Sequence, residues 1–249
     1  MDILSIIPFN EPWIFLLIGF LIALSAFMQG VGGVGFTMLV APVALMISPE
    51  LVPGPLLTLG FLMAFMSVLR ELSDVNWGLA LVGIAGRGVG AVVAVIALAS
   101  LSGTLLDIVF ASLILIAVLL SMSGLNIQPT RPNIGVAGIV SGVMGTITSV
   151  GSPPLAITFQ HGAPAVVRAT LATIFTSGTA LSIIALIASG HYELQEAVLG
   201  TTLIPFLLLG FWLSNRARHY VSAPLLRRWL LIFCALTALL LVGKTLLTL

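Results

Sequence analysis

The chain has 249 residues, 59% of them hydrophobic and only 7% charged, with a formal net charge of +1 and a mean hydropathy of +1.24. That is too little charge to cover a water interface, which excludes a soluble domain and leaves an integral membrane protein. No basic run suggests nucleic acid, and the single cysteine, Cys234, excludes an intramolecular disulfide or thiolate metal cluster and reads as a small buried hydrophobe.

Met1, Asp2 and Glu11 precede the first apolar run, with no basic residue among them. A cleavable signal peptide wants a positive start and a small-residue cleavage site, so the segment from about Pro12 to Met28 is expected to be retained as a helix. Further apolar runs fall near 33–48, 52–69, 76–100, 104–123, 133–150, 152–160, 165–189, 192–215 and 224–247. Runs of about 20 residues fit a hydrocarbon core about 30 Å thick. The polar connections reach only about ten residues, so 1–249 reads as a single all-α transmembrane domain.

The first irregularity is "GVGGVGFTMLVAP" at residues 30–42, which puts four glycines into six residues between two apolar runs. Glycine costs about 1 kcal/mol against alanine inside a helix. The stretch therefore predicts a turn at Gly30, Gly32, Gly33 and Gly35. A second turn is predicted at Gly145, Gly151 and Ser152-Pro153-Pro154. Non-helical backbone at membrane depth is tolerated only where it is buried in protein or faces a watery cavity. Helix N-termini formed there aim unpaired N–H groups and partial positive charge into that cavity, which suits an anion. Gln29, Thr148, Ser149 and Ser152 flank these turns as further candidate ligands. The duller alternatives are a polar interhelical contact for Gln29 and bonds to carbonyls of their own helices for the hydroxyls.

Arg87 lies about eleven residues into the run 76–100, close to the bilayer midplane. A charge there costs roughly 2.5 to 3.5 kcal/mol on translocon scales, so it is expected to face a cavity or a partner. Arginine can grip an oxyanion through two parallel hydrogen bonds. A pair with Asp107, or bonds to carbonyls at a turn, are the alternatives. Gly86-xxx-Gly90 and Gly138-xxx-Gly142 have the spacing of close helix packing. Arg168, one turn into the run 165–189, reads either as a gate or substrate contact or as an anchor reaching to headgroups. Glu50, Glu71, Asp74, Glu193 and Glu196 read as solvated loop charges, and His161, His191 and His219 fall at run ends. Proton coupling, sodium coupling and a facilitated mechanism all stay open, and oligomeric state, a homodimer included, is not encoded legibly. No paired intramembrane histidines, cysteine pairs or carboxylate dyad point to an enzyme, a metal or a cofactor.

The chain also reads as one unit written twice, about 12–123 and about 133–247. Gly30, Gly33, Pro42 and Thr58 have counterparts 112 positions later in Gly142, Gly145, Pro154 and Thr170. Further on the offset is 120, with Gly90 matching Gly210 and "LSGTLLD" at 101–107 matching "VSAPLLR" at 221–227. Internal duplication is a habit of transporters. Arg216, Arg218, Arg227 and Arg228 surround one short loop, which the positive-inside rule places in the cytoplasm. Working backwards, Arg70, Arg131 and Arg168 are also inside, provided that each half opens with a broken hairpin that enters and leaves on one side. This favours two inverted four-helix-plus-broken-hairpin repeats whose glycine-rich breaks meet near the midplane. Eight simple crossings in parallel halves would leave Arg70 and Arg131 outside.

"FMQGVGGVGFTMLVAPVAL", "GIVSGVMGTITSVGSPPLAI" and "VRATLATIF" resemble the two repeats of the sulfite exporter TauE/SafE family, over about residues 14 to 245. The resemblance implies a multi-pass protein, mostly of bacterial inner membranes, that exports or takes up sulfite or small organosulfonates such as sulfoacetate. The chain departs from the family pattern at Ser152, where glycine commonly precedes Pro-Pro, and at Thr146-Ile147-Thr148, where a glycine-richer stretch is frequent. The expectation is a secondary transporter holding a small sulfur oxyanion between the turns and exposing it alternately. An anion channel using the same donors is the competing class.

Overall fold

The computed structural model describes residues 12–32, 35–101, 104–125, 127–160, 162–217, 220 and 223–247. Gly33, His161, Arg218 and His219 fall outside the described residues, as do the side chains of Asp107, Arg227 and Arg228. The apolar runs appear as α1 (Pro12–Gly32), α2 (Phe36–Ile47), α3 (Gly54–Glu71), α4 (Trp77–Ser100), α5 (Thr104–Met122) and α6 (Arg131–Thr148). They continue as α7 (Ser152–Phe159), α8 (Pro164–Ala188), α9 (Leu194–Thr202), α10 (Ile204–Ala217) and α11 (Ala223–Leu247).

Several starts are written into the sequence. Asn76 accepts from the Leu79 N–H to begin α4, and Thr130 accepts from Asn133 N–H to begin α6. Glu193 and Glu196 form a reciprocal capping box on α9. The run 192–215, one segment by hydropathy, is bent by 43° between α9 and α10. Pro205, at the second position of α10, has no N–H to continue the ladder.

By length and hydropathy, α1, α3, α4 and α8 can each cross a membrane, and the bent pair α9–α10, taken as one span, brings the number to five among the described residues. Bulky apolar side chains on their outer faces stay exposed, among them Leu16, Phe20, Leu81, Ile96 and Ile184. On a soluble protein such faces would be sticky; here they suit lipid. Trp13, Trp77, Trp212 and Trp229 are also exposed and sit near helix ends, where indole rings favour the headgroup level.

The helices pair in a crossed pattern. α4 packs on α6 as α1 packs on α10; α5 meets α7 as α2 meets α11; α8 meets α4 as α3 meets α9. In addition α3 packs on α8, and α5 on α11. α3 and α8 run antiparallel, because Glu71 at the end of α3 binds Arg168 near the start of α8, and Thr58 near the start of α3 binds Tyr192 beyond the end of α8.

The α4–α6 seam is held by glycines. A Cβ at Gly86 would lie 2.6 Å from the Gly135 carbonyl oxygen, and one at Gly138 2.8 Å from that of Gly83. Gly90 and Gly142 press on each other in the same way, and a Cβ at Gly142 would also strike the backbone of Arg87. The small-residue spacing read from sequence is thus a backbone contact. Arg70, Arg131, Arg168 and Arg216 gather at one end of the bundle. Arg70 donates to Asn215 at 2.7 Å beside Arg216, its neighbour Glu71 holds Arg168, and Arg131 lies beside Gly78 at the foot of α4.

Candidate functional site

The break between α1 and α2 is bridged by a side chain. Gln29 Oε1 accepts the Phe36 N–H at 2.8 Å, across a Gly35 whose φ of 115° suits glycine and strains other residues. The break between α6 and α7 is bridged differently. The Ser141 hydroxyl donates to the Gly151 carbonyl at 2.5 Å, and Ser149 takes a left-handed φ of 64° to turn the chain. Gln29 and Ser141 are 112 positions apart, so they are counterparts in the repeat register.

Both breaks border one hollow of about 40 Å³, lined by Gln29, Phe36 and Thr37 from the first turn and by Ser149, Gly151 and Ser152 from the second. One face of α3, with Leu56, Leu57, Gly60 and Ala64, forms a wall, and Arg87, Phe175 and Thr179 close it from α4 and α8. One water needs roughly 10–15 Å³, so the hollow has room for a few waters or one small polyatomic ion.

Arg87 is the chemical centre of this hollow. It is 2% exposed, yet no carboxylate pairs with it among the described residues. Its Nη1 donates to Ser141 Oγ at 3.3 Å and its Nη2 to Thr179 Oγ1 at 3.5 Å, both long for charged donors. Its Nε has no hydrogen-bond partner. The Phe175 ring, 5.4 Å from the guanidinium carbon, covers one face. The side chain passes so close to α8 that a Cβ at Gly178 would collide with it, and one at Gly145 would lie 3.1 Å from Nη2. Glycine at these positions makes the sleeve through which the arginine reaches the hollow. The Ser141 proton is committed to Gly151, so toward Arg87 Ser141 acts as acceptor alone.

The candidate residues separate into two groups. Gln29, Arg87, Ser149, Gly151 and Ser152 line the hollow, and Gly145 touches the guanidinium from behind. Gly30 instead packs against Ser214 of α10, with its carbonyl accepting from Arg70 at 3.3 Å, and Gly32 faces open space. Gly35 is the cap before α2. Thr148 is fully buried and donates to the Met144 carbonyl at 2.7 Å, the bond within its own helix, while accepting from Val150 N–H. Ser149 donates to the Pro53 carbonyl at 2.9 Å.

Arg168 is away from the hollow. Its Nε and Nη2 grip Glu71 at 2.8 to 3.0 Å. Glu71, expected to be a solvated loop charge, has a side chain only 11% exposed, because the ion pair ties the end of α3 to the start of α8. Thr58 and Thr170, matched in the repeats, do matched work as tethers. Thr58 Oγ1 meets Tyr192 OH at 2.5 Å, and Thr170 accepts from the Asn76 N–H at 3.0 Å.

The amide donors are fewer than two bare helix ends would supply. The Phe36 N–H is taken by Gln29, and of the first three residues of α7 only Ser152 carries an N–H, because Pro153 and Pro154 have none. The guanidinium and hydroxyls therefore dominate the polar lining. Ser141, Phe175, Gly178 and Thr179 were not singled out by sequence reading. The signal was present as the spacing Phe175, Gly178, Thr179, Ser182, which puts small and hydroxyl residues on one face of an otherwise apolar helix.

The family model described as Sulfite exporter TauE/SafE matches residues 15–241. No curated protein and no solved structure matches the chain significantly.

Proposed function

The chain belongs to the sulfite exporter TauE/SafE family, whose members are multi-pass membrane proteins for export of sulfite and related sulfur compounds, and on that premise we propose that it is a secondary transporter, rather than an enzyme, for a small sulfur oxyanion such as sulfite or an organosulfonate. The anion binds in the hollow between the two turns, with Arg87 as its principal partner and Ser149, Ser152 and Thr179 as neighbouring hydroxyls. The observation that carries this reading is a buried guanidinium with an unpaired Nε and no carboxylate among the described residues. A charge in that setting is strongly destabilising unless a counter-ion satisfies it. A small tetrahedral or pyramidal oxyanion fits both the donor geometry and the volume.

We read the transport step as alternating access by two inverted repeats in a bacterial inner membrane. Support comes from the crossed pairing of helices and from the antiparallel run of α3 and α8, which carry the matched threonines Thr58 and Thr170. The clustering of Arg70, Arg131, Arg168 and Arg216 at one end agrees with a cytoplasmic face there.

Arg87→Ala is the direct test. Purified wild type should show saturable sulfite or sulfonate binding by calorimetry or thermal shift, and the folded variant should show none. Unchanged affinity in a folded Arg87→Ala protein would remove this residue from the site. In liposomes, saturation and counterflow mark a carrier, whereas ohmic current would mark a channel.

A further inference from the structure

Helix-interior glycines in this protein have a visible reason at most positions, because a Cβ at Gly83, Gly86, Gly138 or Gly142 would strike the neighbouring helix. Gly60, in the middle of α3, has no such collision; Gly135 and Gly243 share that freedom but do not line the hollow. A Cβ at Gly60 would meet Thr37 Cγ2 at 3.6 Å, an ordinary contact, and nothing else within 4 Å. Its φ is not in the left-handed region, so neither packing nor backbone conformation calls for glycine. Glycine nonetheless weakens a helix at such a place relative to alanine. What Gly60 does border is the hollow.

Leu56, Gly60 and Ala64 follow one another at four-residue spacing along the same face of α3, across from the guanidinium. The hollow therefore has two unlike sides. The polar side holds Arg87, which is 2% exposed, makes only long bonds from Nη1 and Nη2, and has an unpartnered Nε lying against Gly178. The apolar side is lined by leucine side chains and by two residues with almost no side chain at all.

Resting on the anion-binding reading above, we propose that Gly60 is the size-determining residue of the site: the missing side chain leaves a slot on α3 that takes the apolar tail of an anion whose oxyanion head is held by Arg87. A methyl at this position shortens the slot, and a branched side chain fills it. Selectivity is then set by α3, while attraction is set by α4. Excluding a single methylene from an apolar pocket changes discrimination by about tenfold or more.

The experiment measures affinities of the purified full-length protein for sulfite, methanesulfonate and ethanesulfonate, in wild type, Gly60→Ala and Gly60→Leu. The readout is the ratio of ethanesulfonate to methanesulfonate affinity. It is expected to fall at least threefold in Gly60→Ala and at least tenfold in Gly60→Leu. Gly60→Ala keeps the test decisive if the leucine variant does not fold, because its Cβ makes one ordinary contact. Unchanged ratios in folded variants that still lose binding on Arg87→Ala would overturn the role of Gly60 alone. A wild type that binds sulfite but neither sulfonate would overturn this proposal alone, and one that binds none of the three would overturn the anion-site reading together with it.

Discussion

The two breaks fall at places matched by the 112-position offset in the sequence, yet they treat their hydrogen-bonding groups in opposite ways. At the first, Gln29 accepts an N–H from the start of α2 and so withdraws a donor from the hollow. At the second, Ser141 donates to a carbonyl and keeps a lone pair facing Arg87. The same asymmetry recurs on the helices beside them. The offset of 120 that aligns Gly90 with Gly210 puts Leu207, fully buried, at the place matching Arg87. On this alignment the two halves pair their helices alike, while among the described residues the buried cation comes from the first half alone. A repeat is thus a guide to shape; the chemistry must be read residue by residue.

The largest contrast is expected between Arg87→Ala and Leu207→Ala. The first should cost at least about 100-fold in anion affinity, since hydrogen bonds to charged groups are worth roughly 1.5–3 kcal/mol each. The second should leave the cation in place and lower stability by about 2–5 kcal/mol, as core leucine truncations do. Calorimetry and melting in detergent separate the two effects. Equal losses of affinity would mean that the halves are chemically equivalent after all.

Next come the two bridges. Ser141→Ala strips Gly151 of its donor and Arg87 of an acceptor in a buried setting, and should cost about 1–3 kcal/mol together with a clear loss of anion affinity. Gln29→Ala removes a cap worth roughly 1 kcal/mol but releases the Phe36 N–H, so affinity should fall less than in Ser141→Ala. The reverse order would show that the first turn is the stronger ligand. Thr58→Val and Thr170→Val should each cost about 1 kcal/mol and by similar amounts, because each deletes one tether between α3 or α8 and the opposite half. The smallest effect belongs to Glu71→Gln. Arg168 is one-third exposed in this pair, so the loss should stay within about 1 kcal/mol and shrink as salt is raised.

Much of the fold was legible because membrane helices announce themselves by length and hydropathy. Nine of the ten apolar runs became one helix each with ends shifted by a few residues, and the tenth became α9 and α10. That bend was hard to see because proline is an ambiguous signal here. Pro205 accompanies a 43° bend, whereas Pro42 sits inside an unbroken α2. The breaks were readable from glycine density, although Gly30 and Gly32 stay within α1 and Gly145 within α6, so each break comes later than expected; Arg87 was readable from its isolation in an apolar run. Ser141, Thr179 and Gly178 could not be ranked in advance, because their importance comes from helices α6 and α8 meeting α4 across long sequence separations. Glu71 was misread for the same reason, since its partner lies 97 positions away.

If Arg87 holds the anion as proposed, its charge has an electrical consequence. An occupied site, with a monovalent oxyanion against the guanidinium, is close to electroneutral, whereas a vacant one exposes a naked positive charge to a low-dielectric interior. Reorientation with cargo aboard is therefore the easier motion, and an unloaded return is the harder one. Such an arrangement favours one-for-one exchange of anions across the bilayer over uncompensated flow.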